Sequence, residues 1–204
     1  MPEDRPRRDP ASFEAKRREI LRAATRAFAR KGFAGTRVGD IAQEAGIAYG
    51  LIYHYFDNKD AILSSLFQGM WGVSLKVIEG IDAQGGTLEE KLRGVAGFFL
   101  EAWRLEPDAV EVVLKEVLRS PKFLDADNVS AFRGLFERLE GIFVAHAAEL
   151  RPGVDPKLTA VLFLGALEIL LTGMIARELL GADAAAIEQS RDALVDTFLH
   201  GIAG

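Results

Sequence analysis

The 204-residue chain contains no cysteine. Without a thiol there can be no disulfide framework, no Cys-ligated zinc or iron–sulfur cluster and no thiol nucleophile. Histidine is nearly as scarce. The three copies, His54, His146 and His200, lie far apart, and no H-E-x-x-H, G-x-S-x-G or phosphate-loop pattern accompanies them. No catalytic residue, metal site or cofactor is therefore expected. Alternating period-2 stretches and internal repeats are also missing, so strands are not expected. The opening MPEDRPRRDP has basic residues but no apolar segment behind them, which points away from a secretory leader and towards a cytoplasmic address.

The remaining composition is that of a folded chain: 49% hydrophobic and 27% charged residues. Its net charge of −5 conceals a gradient. Residues 1–60 carry 12 Lys/Arg against 9 Asp/Glu, and the remainder carries 13 against 21. A basic front suits a polyanion, whereas the acidic rear does not.

Helical periodicity begins at Phe13. Phe13, Ile20, Leu21, Ala24 and Phe28 share one face, with Lys16, Arg17, Arg18, Arg22 and Arg26 on the other. Gly32 suits the left-handed position after a helix end. Val38, Ile41, Ala42 and Ala45 form a second short period, Gly46 interrupts, and residues 49–56 form a third with Ile52, Tyr55 and Phe56 inward. Helix, tight turn and helix is the order of a helix-turn-helix. Longer helices are expected over 59–81, 88–105, 107–119, 129–150, 156–180 and 183–202, punctuated by Gly85–Gly86, Pro107, Pro121, Pro152–Gly153 and Gly181. The class is all-α, with a flexible tail over 1–11, a three-helix domain over 12–58 and a larger helical domain over 59–204.

The apolar run 158–176 is nearly long enough to span a bilayer. Glu168 at its middle would cost about 2.5–3.5 kcal/mol there. The expectation is a helix buried in protein, with no membrane partner.

The segment ILRAATRAFARKGFAGTRVGDIAQEAGIAYGLIYHYFDNKDAIL, residues 20–63, resembles the DNA-binding domain of the TetR family of transcriptional regulators. Ala24, Phe28, Gly32, Phe33, Thr36, Val38, Ile41–Ala42, Ala45–Gly46–Ile47, Gly50, Ile52–Tyr53, Phe56, Lys59 and Leu63 carry the resemblance. It implies a DNA reader at the front, a helical small-molecule-binding and dimerisation domain behind it, and a homodimer on double-stranded operator DNA. A repressor released by its ligand is the expected mode of action. The recognition helix would present Tyr49, Gly50, Leu51, Tyr53 and His54 to the major groove. Arg37, Tyr53 and Lys59 are expected on phosphates. Gly50 within a helix costs about 0.8–1 kcal/mol relative to Ala, which close approach to DNA would justify. Ala48, Tyr49 and Leu51 depart from the commonest family pattern: Ala48 removes an N-cap hydroxyl, and Leu51 offers an apolar contact to a thymine methyl. These departures keep open a second reading, a helical apolar-ligand-binding protein that has lost DNA binding.

Behind the front domain, Phe67, Trp71, Phe98, Trp103, Phe136 and Phe143 are candidate walls of an apolar pocket. Gly94, Gly97, Gly134, Gly141, Gly165 and Gly173, inside helices, call for close crossings or internal space. Gly165, Glu168, Thr172 and Ala176 form a small-and-polar stripe, which is either a subunit seam or a pocket wall. With Leu194 and Phe198, the first three of these are taken as the dimer interface. The stretch YFDNKDAILSSLF and the aromatic-rich rear are similar to the FadR-like members of the family, which respond to long-chain acyl-CoA. That likeness makes an apolar effector such as acyl-CoA the expected partner.

Overall fold

The computed structural model describes residues 10–117, 126–175 and 183–202. Residues 1–9 of the tail expected over 1–11, the break at Pro121, Ala176, the end of the helix expected to reach 180, and Gly181 lie outside them. Pro10 and Ala11, expected in the tail, instead open the first helix. Among the described residues the fold is all-α: α1 (Pro10–Gly35), α2 (Val38–Glu44), α3 (Tyr49–Ile52), α4 (Lys59–Ala83), α5 (Leu88–Leu105), α6 (Pro107–Val117), α7 (Ala126–Ala145), α8 (Pro156–Ile175) and α9 (Ala184–Ile202). The chain forms two compact units, Met1–Leu66 and Phe67–Gly204. The boundary falls inside α4, not at its start.

In the first unit α1 contributes Ile20, Ala23, Ala24, Ala27 and Phe28 to the core. Ile41 and Ala42 of α2, Ile52 of α3, Phe56, and Ile62 and Leu63 of α4 complete it. Alanine at 23, 24 and 27 removes side-chain bulk, so the short helices can approach α1 closely. Gly32 breaks the helical path at φ 69°, ψ 159°, a conformation essentially reserved for glycine. The buried Thr36 hydroxyl lies within hydrogen-bond reach of the Gly32 and Ala27 carbonyls, at 2.8 and 3.1 Å, and so reinforces the break. At the end of α2, Gly46 takes φ 65° while its N–H bonds Gln43 O and the Ile47 N–H bonds Ala42 O. This paired closure fixes the turn into α3. The third helix is shorter than the expected 49–56. Ala48 offers no capping side chain, and beyond Ile52 the His54 and Tyr55 N–H groups bond three residues back in tighter turns.

In the second unit a capping box starts α5: Thr87 Oγ1 accepts from Glu90 N, and Glu90 Oε2 accepts from Thr87 N. Lys91 is buried, donating to the Asp82 carboxylate at 2.5 Å and the Asp82 carbonyl at 3.0 Å. Helix α5 packs on α6 and α9, and α7 packs on α8. The seventh helix begins three residues earlier than expected and gives way after Ala145 to a short 3-10 turn, Ala147–Glu149. By length and composition α4 and α8 could each cross a membrane. Within its unit α8 nevertheless contacts α5, α6, α7 and α9, and buries Phe163, Leu167, Leu171 and Met174.

Candidate functional site

Residues of opposite charge anchor α2 to α1. Glu44 accepts from Arg26 Nε at 2.7 Å and Arg30 Nη2 at 2.5 Å, and these two guanidiniums hold its carboxyl down to about 2, Arg30 with the larger effect. Asp40 accepts from Lys31 at 2.7 Å and from the Arg37 backbone N–H at 2.7 Å, both of which lower its pKa. Asp40 thereby serves the start of α2, which has no capping side chain at Arg37 itself. The Arg37 side chain is exposed. None of Arg26, Arg30, Lys31, Asp40 and Glu44 was singled out as a functional residue by its sequence position, since ion pairs between helices leave no local pattern.

Tyr49, Gly50, Tyr53 and His54 are exposed at and just beyond α3, and Leu51 is half-buried. Tyr49 and Tyr53 pack edge to face at 5.3 Å, and their hydroxyls share a 2.7 Å hydrogen bond. Tyr49 is the larger influence raising the Tyr53 pKa. The Tyr53 ring therefore leans on Tyr49. A Cβ at Gly50 would meet nothing within 4 Å, so the backbone there is open to a close neighbour. Lys59 has close partners within its own unit. Its ammonium donates to the carbonyls of Phe33 (2.7 Å) and Thr36 (2.8 Å) and lies 4.3 Å from the Phe33 ring centroid. Those carbonyls account for a cation at the start of α4, and a phosphate is not needed to explain its position.

The second unit contains a cavity of about 380 Å³ between α4, α5, α6, α7 and α8. This is within the ordinary size range of small-molecule sites, roughly 300–1,000 Å³. Of the expected walls, Trp71, Phe98 and Phe136 line it. Phe67, Trp103 and Phe143 do not. Phe67 is fully buried and stacks on Trp71 at 5.3 Å. Trp103 belongs to a core cluster with Leu100, Val110 and Met174. Phe143 meets Phe163 and Phe198 in a separate aromatic group, at 6.4 and 6.2 Å. Missed by sequence were Met70, Ser74, Phe132 and Val113, which do line the cavity. An aliphatic wall residue carries no mark that separates it from solid core.

Gly165 and Glu168, expected in the dimer seam, line this cavity, whereas Thr172 of the same stripe is not among its lining residues. A Cβ at Gly165 would meet nothing within 4 Å, whereas one at Gly94 would meet Ile81 at 3.3 Å. Both expected roles for helix glycines therefore occur, open space in one and close crossing in the other. Phe198 packs against Phe143 and Phe163 in its own unit. Thr172 is exposed and Leu194 half-buried. Leu158, Leu162 and Ile169 are exposed apolar side chains on α8, with Ile169 at 72% exposure.

Residues 20–66 match the family described as bacterial regulatory proteins, tetR family. The first unit thus carries a TetR-type DNA-binding domain. Its match spans the first compact unit from the middle of α1 into α4, so the short helices and their glycine turn are the family's helix-turn-helix. The "Fatty acid metabolism regulator protein" of Bacillus subtilis is 28% identical over 156 residues, covering 76% of this chain and 80% of that protein. Among solved structures, the fatty acid degradation regulator FadR of Bacillus halodurans superposes with a TM-score of 0.81 at 22% identity, covering 96% of this chain and 97% of that one. FadR of B. subtilis, solved with stearoyl-CoA, gives 0.79 at 24% identity, covering 91% and 98%. The likeness in fold thus extends over both units.

Proposed function

We propose that the protein is a homodimeric repressor in the cytoplasm that binds a palindromic operator and releases it when a long apolar ligand, with long-chain acyl-CoA the best fit, enters the second unit. The observation that carries the ligand half is the aromatic and aliphatic cavity, whose described lining contains no Lys or Arg. Such a lining suits an acyl tail and leaves the phosphates of a CoA group outside. The stearoyl-CoA held by the B. subtilis relative supports the same class.

For DNA, exposed Arg37, Tyr49, Gly50, Tyr53 and His54, with half-buried Leu51, form the contact surface. Arg37 meets phosphate, and Tyr49 and Leu51 meet base edges or thymine methyls. That surface favours the regulator over an apolar-ligand carrier that has lost DNA binding. Lys59 acts by holding Phe33 and Thr36 to the start of α4, its third N–H remaining available to a phosphate. A division into residues 1–11, 12–58 and 59–204 assigns these tasks, with α4 running through the unit boundary. A ligand that displaces Met70, Trp71 or Ser74 displaces the same helix that Lys59 ties to α1. Leu158, Leu162, Ile169 and Thr172 share one face of α8 and form the subunit seam, with Leu194 of α9 at its margin.

Mass spectrometry of the ligand co-purified with the protein, together with mobility shift of a palindromic duplex, tests this reading. An acyl-CoA that abolishes the shift is the expected pair of results. A protein that leaves every duplex unshifted at low salt contradicts the regulator.

A further inference from the structure

The cavity wall is almost wholly apolar, yet it includes a carboxylate. Glu168 lies midway along α8, lines the cavity and forms no hydrogen bond or ion pair with any described residue. Ser74, a second polar side chain on the described wall, donates its proton to the Met70 carbonyl at 2.9 Å. Its hydroxyl therefore offers the cavity only lone pairs, and a carboxylate offers only lone pairs as well. Among the described wall residues the Trp71 indole N–H donates, whereas Glu168 and Ser74 accept. A ligand with a donor satisfies them, while a ligand with its own carboxylate meets like charge in an apolar enclosure.

We propose that Glu168 is the specificity-determining residue of this cavity, admitting long apolar chains that carry an N–H or O–H donor and turning away chains that end in a carboxylate. The inference deepens the ligand reading above and rests on its premise that the cavity is the effector site. A thioester-linked acyl chain satisfies it, because the chain is neutral and the amide N–H groups of the pantetheine arm can donate; a free fatty acid does not.

The test is calorimetric titration of the full-length protein with dodecylamine, dodecanol and dodecanoate, each below its micelle concentration, alongside lauroyl-CoA. Wild type should bind the amine and the alcohol at least about tenfold more tightly than the acid. Glu168→Gln should bring the acid to within about threefold of the alcohol, whereas Glu137→Gln, an exposed acid on α7 outside the cavity, should leave the order intact. Wild type binding dodecanoate as well as dodecanol overturns the proposal without any variant, as does an unchanged preference in a folded Glu168→Gln protein. If lauroyl-CoA fails to bind while the alcohol-over-acid preference holds, the acyl-CoA assignment falls and the role of Glu168 stands.

Discussion

Lys59 Nζ donates to the Phe33 carbonyl at 2.7 Å while lying 4.3 Å from the centre of the Phe33 ring. One cation thus closes the end of α1 against the start of α4. Lys59→Met would leave the Phe33 and Thr36 carbonyls without their charged donor. Charge-assisted bonds contribute about 1.5–3 kcal/mol, and the partial exposure of the site sets the expected loss near the low end, about 1–2 kcal/mol. Urea unfolding measures it. Unchanged stability in the variant would contradict the cap.

Arg37 is the complementary case, exposed and free of a structural duty for its side chain. Arg37→Ala should leave unfolding unaltered, weaken binding to all duplexes alike and reduce the slope of log affinity against log salt by about one. A slope equal to wild type would remove Arg37 from the phosphate contacts.

Glu44 gives the first unit an acid-side dependence of known sign. Its folded carboxyl titrates at about 2, below an ordinary value of 4.5, because Arg30 and Arg26 favour the charged form. The stability it contributes is present above the ordinary value and is lost as pH falls from about 4.5 towards 2. Glu44→Gln should therefore melt lower than wild type at pH 7 and show a shallower decline in thermal midpoint across that window. Parallel curves would contradict the linkage. Salt should narrow the difference, because the pairs are exposed.

The seam on α8 predicts that Ile169→Arg places a charge on an apolar contact and yields a folded monomer by sedimentation equilibrium, with operator affinity lost alongside. Leu167→Arg is a poorer probe, because Leu167 is buried in its own chain and the substitution would damage the core. A folded Ile169→Arg dimer would move the seam elsewhere.

Much of the front unit was legible in the sequence because its signals are local. Gly32 and Gly46 take positive φ where the periodicity breaks, and the alanines at 23, 24 and 27 follow the buried face of α1. The Lys59 bonds were not legible, since they cross 26 and 23 residues of sequence. The rear unit was legible as helices, with the 88–105 bounds as expected, but not as a cavity. Phe67 and Trp71 are four residues apart on one helix and stack on each other, yet only Trp71 reaches the open space. Which side of an apolar helix meets a void depends on the five helices around it. Glu168 was expected in the dimer seam, and its place on the cavity wall follows from the packing of α4 to α8, which no local pattern carries.

Under the proposed mechanism, ligand in the rear unit and operator on the front unit oppose each other. Fluorescence anisotropy of a labelled operator, titrated with acyl-CoA of increasing chain length, measures this directly. The account predicts that free CoA has no effect and that release strengthens with chain length, since each buried methylene adds about 0.8 kcal/mol. At saturation the operator affinity should fall by roughly 5–150-fold, with the operator weakening acyl-CoA binding by the same factor. An operator affinity that stays flat from free CoA to stearoyl-CoA would contradict it.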